Sequence, residues 1–422
     1  MYFPPSLHAN QLDTVINKAL SIGKVSGWDS RIAKLDQECR HNPFAPHYFS
    51  DRCALEIAMK EVRTRRRLTN HLPDIATADV TTHRLYAFAA MLANVYERLS
   101  PRAQKVLAGR VRGGLKDDIG LAPLAFELVI ASHLMSRGVD VEWHDLEFGG
   151  FDFVARRGNS IAEVECKTFS ADIGRKVHQR RQFQLGGLIK SEINGALEKR
   201  GSVFIDVLIN QRLTGKVIQD AARSVGQALS TGSDVTGPSP CSVSLNHFSA
   251  DELPFNWRSS NFSEKDFSDF AQKKFNRPNP SLLVLSRPKY GIAFLTIRSN
   301  EPDDVIGGMY EQLKRGSTQF SGSRPAFLCA HFLDLTPEAL VSLHADQQKG
   351  KPSNLNVIVT RLFKGNRPFL HTVQFTVPGR VEQTKTVQGD MQVNNYMETG
   401  PAYSFTNSSH PLAPEPDLKF FS

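Results

Sequence analysis

Apolar residues recur every three or four positions through much of the first 115 residues. Four stretches share this spacing: 11–22, 54–62, 85–99 and 101–111. The recurrence places apolar side chains on one face of an α-helix. Ser100 followed by Pro101 is a cap with proline at the first helical position, an arrangement with which helices commonly begin. Residues 1–115 are therefore predicted to form a helical domain.

From residue 116 the pattern changes to a mixture of helices and strands. In chain order, the predicted elements are an apolar helix at 121–135, β-rich runs at 139–146, 151–155 and 161–168, a helix at 178–200 and an apolar strand at 203–209. The last strand is expected to return to the sheet through a crossover connection. Residues 116–230 are therefore predicted to form a compact α/β core.

Beyond this core the pattern weakens and then resumes. Residues 231–280 contain a run of Thr, Gly, Ser and Pro and are predicted to be a linker or an irregular insertion. Strands are then predicted at 281–285, 291–297, 325–332, 355–363 and 369–377, and helices at 304–319 and 337–344. These elements predict a second α/β region over 281–399, followed by a tail at 400–422.

Composition favours a globular protein with two or three domains, since the chain has 422 residues of which 40% are hydrophobic. No stretch approaches the roughly 20 consecutive apolar residues of a membrane helix. The first residues lack the features of a secretory signal. The five cysteines are scattered, odd in number and never spaced as CxxC, which indicates a reducing compartment. We therefore expect a cytoplasmic protein that does not bind membranes.

Charge is distributed unevenly along the chain. The formal net charge is +8, yet residues 117–172 hold 11 acidic and only 4 basic side chains. Basic residues are in excess on both sides of this acidic stretch, in 1–115 and in 173–200. A cation-binding site beside a phosphate-binding surface would have this distribution. Ordinary solvated charge on helix and strand surfaces is the alternative.

Residues 161–168 carry the most informative pattern. Side chains alternate along a strand, so Glu163, Glu165 and Lys167 share one face while small apolar residues share the other. Burial of apolar surface cannot explain why two carboxylates and an ammonium share one face of a strand. Asp152 opens the preceding strand, and a hairpin through 157–160 would bring it near the Glu165 strand.

This set of residues has the chemistry needed to hydrolyse a phosphodiester bond. Carboxylate oxygens of Asp152 and Glu165 suit Mg²⁺ or Mn²⁺, which neutralises phosphate charge and generates hydroxide. Lys167 would hold the attacking water or stabilise transition-state charge. Glu127 lies on an apolar helix face, where a carboxylate is costly unless it is paired or binds metal. The alternative is a strand whose carboxylates form salt bridges with nearby cations.

The pattern formed by Glu127 on the first helix, Asp152 at the second strand and the run Glu165-Cys166-Lys167 on the third resembles the PD-(D/E)xK, or restriction-endonuclease-like, nuclease superfamily. The order αβββαβ over about 118–210 is similar to the core of that family. One departure is Phe151, which stands where the family motif has proline. The resemblance implies a restriction-endonuclease-like α/β fold, catalysis by the matching acidic residues and lysine, and a divalent metal held by the three carboxylates.

Two groups of cations are predicted to contact the phosphates of a nucleic acid. Arg63, Arg66 and Arg67 share a helix face, although a solvated helix end explains them equally well. The second group follows the acidic strand and consists of Arg175, Lys176, Arg180 and Arg181. These four residues are also compatible with the exposed start of a helix.

The sequence therefore predicts a Mg²⁺-dependent endonuclease that acts on nucleic acid, with DNA favoured over RNA. A catalytically inactive protein of the same fold, which binds nucleic acid or a protein partner, is the alternative. The sequence leaves open whether the chain forms a homodimer. It also leaves open whether the setting is restriction, anti-phage defence or repair, because fold does not determine biological role.

Overall fold

The computed structural model describes residues 9–75, 78–170, 172–211, 213–236, 240–257, 264–276, 282–345, 352–365, 367–388 and 391–411. Within these ranges the α-helices are α1 (Leu12–Gly23), α2 (Val25–His41), α3 (Ala45–Arg52), α4 (Ala54–Thr69), α5 (Val80–Arg98), α6 (Pro101–Gly114), α7 (Ala122–Ser136), α8 (His144–Glu147), α9 (Gln179–Leu188), α10 (Lys190–Arg200), α11 (Gly215–Thr231), α12 (Glu264–Phe275), α13 (Val305–Ser317), α14 (Pro337–Ala345) and α15 (Asn354–Lys364). The protein therefore has the helical N-terminal region that the apolar spacing predicts.

Strands alternate with these helices through the rest of the chain. They are β1 (Asp140–Trp143), β2 (Phe153–Arg157), β3 (Ser160–Phe169), β4 (Val203–Ile209), β5 (Cys241–His247), β6 (Leu282–Arg287), β7 (Gly291–Ser299), β8 (Ala326–Phe332), β9 (Leu370–Thr376), β10 (Arg380–Gln388), β11 (Met391–Thr399) and β12 (Ala402–Thr406). The described strands form a six-stranded mixed sheet, a four-stranded mixed sheet and the separate hairpin β10–β11. The protein is a mixed α/β protein, as predicted.

The chain divides into two compact units. The first unit comprises Met1–Leu35, Phe49–Ile173 and Val305–Ser422, and the second comprises Asp36–Tyr48 and Gly174–Asp304. This division differs from the predicted boundaries after residues 115, 230, 280 and 399. Most of the second unit is one continuous insertion into the chain of the first.

The first unit is organised around the six-stranded sheet, whose order is β1-β2-β3-β8-β9-β12. Strands β1 to β3 form an antiparallel meander. Strands β3, β8 and β9 run parallel, and β12 pairs antiparallel with β9. Helix α13 precedes β8, so the chain reaches β8 from the helix that covers one face of this sheet.

A hydrophobic core lies on each face of that sheet. Ala162, Val164 and Cys166 of β3 pack in one core with buried residues of α1, α4, α5, α6 and α7. Leu328 of β8 packs in the other core with buried residues of α13, α14 and α15. Alternation along each strand explains why both faces can be apolar.

The second unit contains the four-stranded sheet, in the order β5-β4-β7-β6. Strand β4 is parallel to β7 and antiparallel to β5, while β6 is antiparallel to β7. Its core is rich in aromatic side chains and includes Phe204, Phe267 and Phe294. The charged pair Asp206–Arg298 joins β4 to β7, with Arg298 Nε 2.9 Å from Asp206 Oδ1.

The strand predicted at 203–209 exists as β4, but the prediction that it completes the sheet of 139–168 is wrong. β4 belongs to the other sheet. The strand that lies parallel to β3 is β8, in which Leu328 is opposite Glu165. Pairing of distant strands depends on tertiary contacts, so the next apolar strand in the chain need not be the next strand in the sheet. The order helix, three strands, helix, strand is formed instead by α7, β1, β2, β3, α13 and β8, apart from the short α8.

Three further predictions differ from the structure. Residues 231–280, predicted as a linker or irregular insertion, contain β5 and α12. The first residues of the predicted tail form β12, which is paired to β9, whereas 412–422 lie outside the described residues. The strand predicted at 139–146 ends at Trp143, where α8 begins.

The predicted strand at 355–363 is the helix α15. Its β-branched residues favour a strand on propensity. However, the buried residues Leu355, Ile358, Val359 and Leu362 have helical spacing. Ser353 caps the helix, since its Oγ accepts a hydrogen bond from Asn356 N at 3.2 Å. Burial of one apolar face therefore overrides the local propensity.

None of the helices in the described ranges combines the length and the hydropathy needed to cross a bilayer.

Two valines of α15 provide a matched test of this assignment. Val359 is 2% exposed and Val357 is 43% exposed. In a helix they lie on different faces, so Val359→Ala should lower the free energy of unfolding by about 2 kcal/mol and Val357→Ala by less than about 0.5 kcal/mol. Urea unfolding of both variants measures the difference. Equal losses would indicate a strand, in which both side chains share one face.

Candidate active site

The register of the β2–β3 hairpin determines which acidic residues meet. Val154 is opposite Glu163, and Arg157 is opposite Ser160 at the turn. Extending this register by two residues places Asp152 opposite Glu165. Directly opposed residues share a face of a sheet. The predicted hairpin through 157–160, with Asp152 near the Glu165 strand, is therefore confirmed.

The alternation predicted along β3 is also confirmed. Ala162 and Val164 lie in the core that includes α7. On the other face, Glu163 and Glu165 are buried and Lys167 is 24% exposed. Glu163 accepts hydrogen bonds from Ser321 N at 2.8 Å and Ser321 Oγ at 2.5 Å. Glu163 is therefore engaged with the chain before β8, whereas Glu165 forms an ion pair with Lys167 on the same face.

Asp152 is buried at the beginning of β2, with 7% of its surface exposed. Its Oδ2 accepts a hydrogen bond from the backbone N–H of Cys166 at 2.6 Å. Its backbone oxygen accepts from His144 N at 3.0 Å. These bonds hold the carboxylate against the Glu-x-Lys segment of β3.

Lys167 is held from two sides. Its ammonium forms an ion pair with Glu165 and donates to Gln319 Oε1 at 2.9 Å. Gly316 of α13 lies against its aliphatic part, since a Cβ at this glycine would be 2.9 Å from Lys167 Cε. A larger residue at 316 would displace the lysine. Helix α13 thus positions the ammonium beside the carboxylates.

Glu127 of α7 is paired with an arginine from the N-terminal helices. Arg110 of α6 donates through Nη2 to Glu127 Oε1 and through Nη1 to Asp145 Oδ2, both at 2.5 Å. Glu127 is only 6% exposed. A guanidinium with two carboxylate partners offsets part of the cost of burying them.

Burial and mutual repulsion raise the pKa values of these acids. Burial, followed by the charge of Asp152, raises the pKa of Glu165 to about 8 and that of Glu127 well above its ordinary value. Burial also raises the pKa of Asp152 itself, and raises the pKa of Asp145 to about 6. Burial alone lowers the pKa of Arg110, but its carboxylate neighbours raise it overall. Asp152 is thus the acid whose charge reaches both Glu127 and Glu165.

Three carboxylate oxygens of this group are buried and accept no hydrogen bond from any described residue. They are Glu127 Oε2, Asp145 Oδ1 and Glu165 Oε2. Buried polar atoms usually have a partner, and carboxylate oxygens are the donors that Mg²⁺ and Mn²⁺ prefer. The chemistry of the donors therefore fits a hard cation. As arranged, the described residues nevertheless contain no cluster of three or more acidic, histidine or cysteine side chains ready to share one ion.

The predicted phosphate-binding arginines of α4 are largely engaged with acidic partners. Arg63 Nη1 lies 2.7 Å from Asp29 Oδ1, and Arg66 Nη2 lies 3.1 Å from Asp13 Oδ1. Arg67 is exposed. The structure thus accounts for Arg63 and Arg66 as ion pairs on the surface of the helical region.

The second predicted group, Arg175, Lys176, Arg180 and Arg181, lies in the second unit. Lys176 Nζ is 2.7 Å from Glu301 Oε2, and this pairing raises the pKa of the exposed lysine. Arg181 Nη1 donates to Gln184 Oε1 at 2.9 Å. The carboxylates described above all lie in the first unit.

Sequence reasoning missed three residues of this site: Arg110, Asp145 and Gln319. Arg110 lies in the predicted helical domain, where its only signal is a basic residue on the half-buried side of an amphipathic helix. Asp145 belongs to the acidic stretch but has no spacing relation to the other acids. Gln319 reaches Lys167 from 152 positions further along the chain. Such contacts depend on tertiary packing.

The chain was compared with protein-family models, curated proteins and solved structures, and none of them matches it.

The raised pKa of Glu165 makes a prediction about stability. The group is protonated more readily in the folded chain, so its contribution to stability is complete below about pH 4.5 and is lost as the pH rises to about 8. Glu165→Gln should therefore raise the melting temperature at about pH 8.5 by at least about 2 °C, with a smaller gain at about pH 5. Thermal unfolding at the two pH values measures this.

Glu142→Gln on β1 is the matched control, because that carboxylate is 48% exposed. Its effect should be small and similar at both pH values. A Glu165→Gln variant that melts lower than the parent at the higher pH would contradict the prediction.

Proposed function

We propose that this chain is a divalent-metal-dependent nuclease that hydrolyses phosphodiester bonds of nucleic acid. The observation that carries the proposal is the opposition of Asp152 and Glu165 across the β2–β3 hairpin, with Lys167 on the same face. Paired carboxylates next to a cation are suited to phosphoryl transfer at a metal.

The order of elements in the first unit supports the proposal. A helix, three antiparallel strands, a helix and a strand parallel to the third are formed by α7, β1, β2, β3, α13 and β8. This is the order of the PD-(D/E)xK core that the motif resembles, with most of the second unit inserted between β3 and α13. The position of Lys167 under α13 follows from this order.

In the proposed mechanism, Mg²⁺ or Mn²⁺ supplies charge neutralisation and an activated water. Asp152, Glu165 and Glu127 would hold the cation; Glu127 Oε2 and Glu165 Oε2 are buried and accept no hydrogen bond from the described residues. Lys167 orients the nucleophile and stabilises charge on the phosphate. Arg110 keeps Glu127 in place on α7. We propose DNA before RNA as the substrate, and a cytoplasmic location in view of the scattered cysteines.

A catalytically inactive protein of the same fold is the second candidate. Its support is that cations of the chain already contact the carboxylates, Lys167 at Glu165 and Arg110 at Glu127. A permanent internal salt-bridge network of this kind needs no metal. This candidate would bind nucleic acid in a salt-sensitive way and show no metal-dependent turnover.

Nuclease assays on the purified full-length chain separate the two candidates. Plasmid, linear, single-stranded and RNA substrates are incubated with Mg²⁺, Mn²⁺ or EDTA. We expect cleavage with the metals and none with EDTA. Asp152→Asn and Lys167→Met should each reduce the rate by about 100-fold or more, because each removes a group that acts on transition-state charge.

Glu142→Gln serves as the control variant and should cleave like the parent. Circular dichroism and melting temperature confirm that each variant folds. Cleavage by Asp152→Asn and Lys167→Met at the parent rate would refute the assignment. Binding without turnover under every metal condition would support the inactive candidate.

A further inference from the structure

One face of α6 carries cations only. Residues 101–116 contain five basic and no acidic side chains. Four of these define a basic stripe: Arg102, Lys105, Arg112 and Lys116. On a helical projection, the first three fall within an arc of about 80° around Gly109, and Lys116 follows directly after the helix. Arg102, Lys105 and Lys116 are exposed and Arg112 is half-buried.

The basic stripe differs from the other dense group of cations in the first unit. None of its four cations forms an ion pair with a carboxylate of the described residues, whereas Arg63 and Arg66 of α4 do. Neighbouring like charges without counterions repel one another. Polyanion binding would relieve that repulsion, and regularly spaced cations suit a phosphate backbone.

Helix α6 is also joined directly to the candidate active site. On the same helical projection, Arg110 lies about 80° from Arg102 and about 160° from Arg112. Arg110 bonds to Glu127 and Asp145. At the first turn, the capping residue Ser100 donates to Glu147 Oε1 of α8 at 2.5 Å. The Arg102 end of the stripe is therefore the part of it nearest to α8, and a strand leaving the stripe at that end would pass towards the carboxylates.

Phe148 lies directly after α8, and it is 73% exposed. One side of its ring contacts His144, at 5.3 Å between centroids, and His144 stacks on Phe151 at 4.2 Å. Gly149 and Gly150 follow with φ of 81° and 94°, a backbone that favours glycine. The loop thus presents a supported aromatic ring to solvent a few residues before Asp152.

We propose that the basic stripe and Phe148 form a binding track for single-stranded nucleic acid, which leads a phosphodiester to Asp152 and Glu165. The proposal rests on the proposed nuclease function and deepens it by naming the form of the substrate. Cations that follow a backbone, combined with an exposed ring on which a base stacks, are the usual elements of single-strand recognition. Bases inside a duplex are already stacked and would not engage Phe148.

The backbone half of the track is tested by binding in EDTA, where no cleavage occurs. Fluorescence anisotropy of labelled oligo-dT and oligo-U of about 20 nucleotides gives the affinity and its salt dependence. Lys105→Gln/Lys116→Gln should weaken binding by about tenfold at about 0.1 M salt and reduce the slope of log K against log salt by about 1.4. The matched control is Lys34→Gln/Lys364→Gln, which removes two exposed lysines elsewhere in the first unit. It should leave the slope unchanged.

The base half is tested with Phe148→Ala. Affinity for oligo-dT should fall by at least about fivefold, while affinity for an abasic strand of equal length and for a duplex should not change. Phe148→Trp should restore binding, and its fluorescence should be quenched by oligo-dT. Equal affinities for oligo-dT and oligo-U would show that the track binds both DNA and RNA strands. Unequal affinities would show which of the two it prefers.

Equal losses for both lysine pairs would overturn the proposal, as would a Phe148→Ala effect that is the same on the abasic strand. These results do not depend on cleavage. Specific binding without metal-dependent cleavage would refute the nuclease function alone. Cleavage that is insensitive to both Phe148→Ala and the stripe variant would refute the track alone.

Discussion

Several carboxylates of the first unit are buried close together, and the cost of burying them is the main physical constraint on the candidate active site. Four acids are involved: Glu127, Asp145, Asp152 and Glu165. Their raised pKa values measure the unfavourable free energy of charging them there. Arg110 and Lys167 offset part of it through ion pairs. Apolar side chains in the same positions would incur no such cost, so a role in binding or chemistry explains these residues better than stability does.

The geometry of the candidate active site comes from sheet register and from one helix. The hairpin sets Asp152 opposite Glu165, and a shift of one residue would turn Glu165 to the face occupied by Val164 and Cys166. Parallel β8 supports β3 from the other side, and α13 closes over Lys167 at Gly316. The hairpin is a local structure whose turn and alternation are visible in the sequence. For this reason the sequence alone is enough to predict that Asp152, Glu165 and Lys167 lie close together.

The identity of the strand beside β3 could not be predicted in the same way. Val203–Ile209 and Ala326–Phe332 are both short apolar strands preceded by helices, and only tertiary packing decides which of them joins which sheet. Val203–Ile209 is closer to β3 in sequence, and it is therefore predicted, wrongly, to be the neighbouring strand. The α15 error has a different origin. Consecutive β-branched residues suggested a strand, although the burial of Leu355, Ile358 and Leu362 follows a helical period.

Arginines of the N-terminal helices show why charge counts alone do not identify binding sites. Arg63 is neutralised by Asp29 on a neighbouring helix, Arg110 turns inward to the acids, and Arg102 faces solvent on the same helix as Arg110. All three occupy helix positions that look alike in sequence, because ion pairing depends on which helices pack together. A dense basic run such as that of α4 can therefore be partly neutralised within the chain, as it is at Arg63 and Arg66. The basic stripe of α6 has fewer cations, but its positive charge is not neutralised by ion pairs within the described part of the chain and would attract a polyanion.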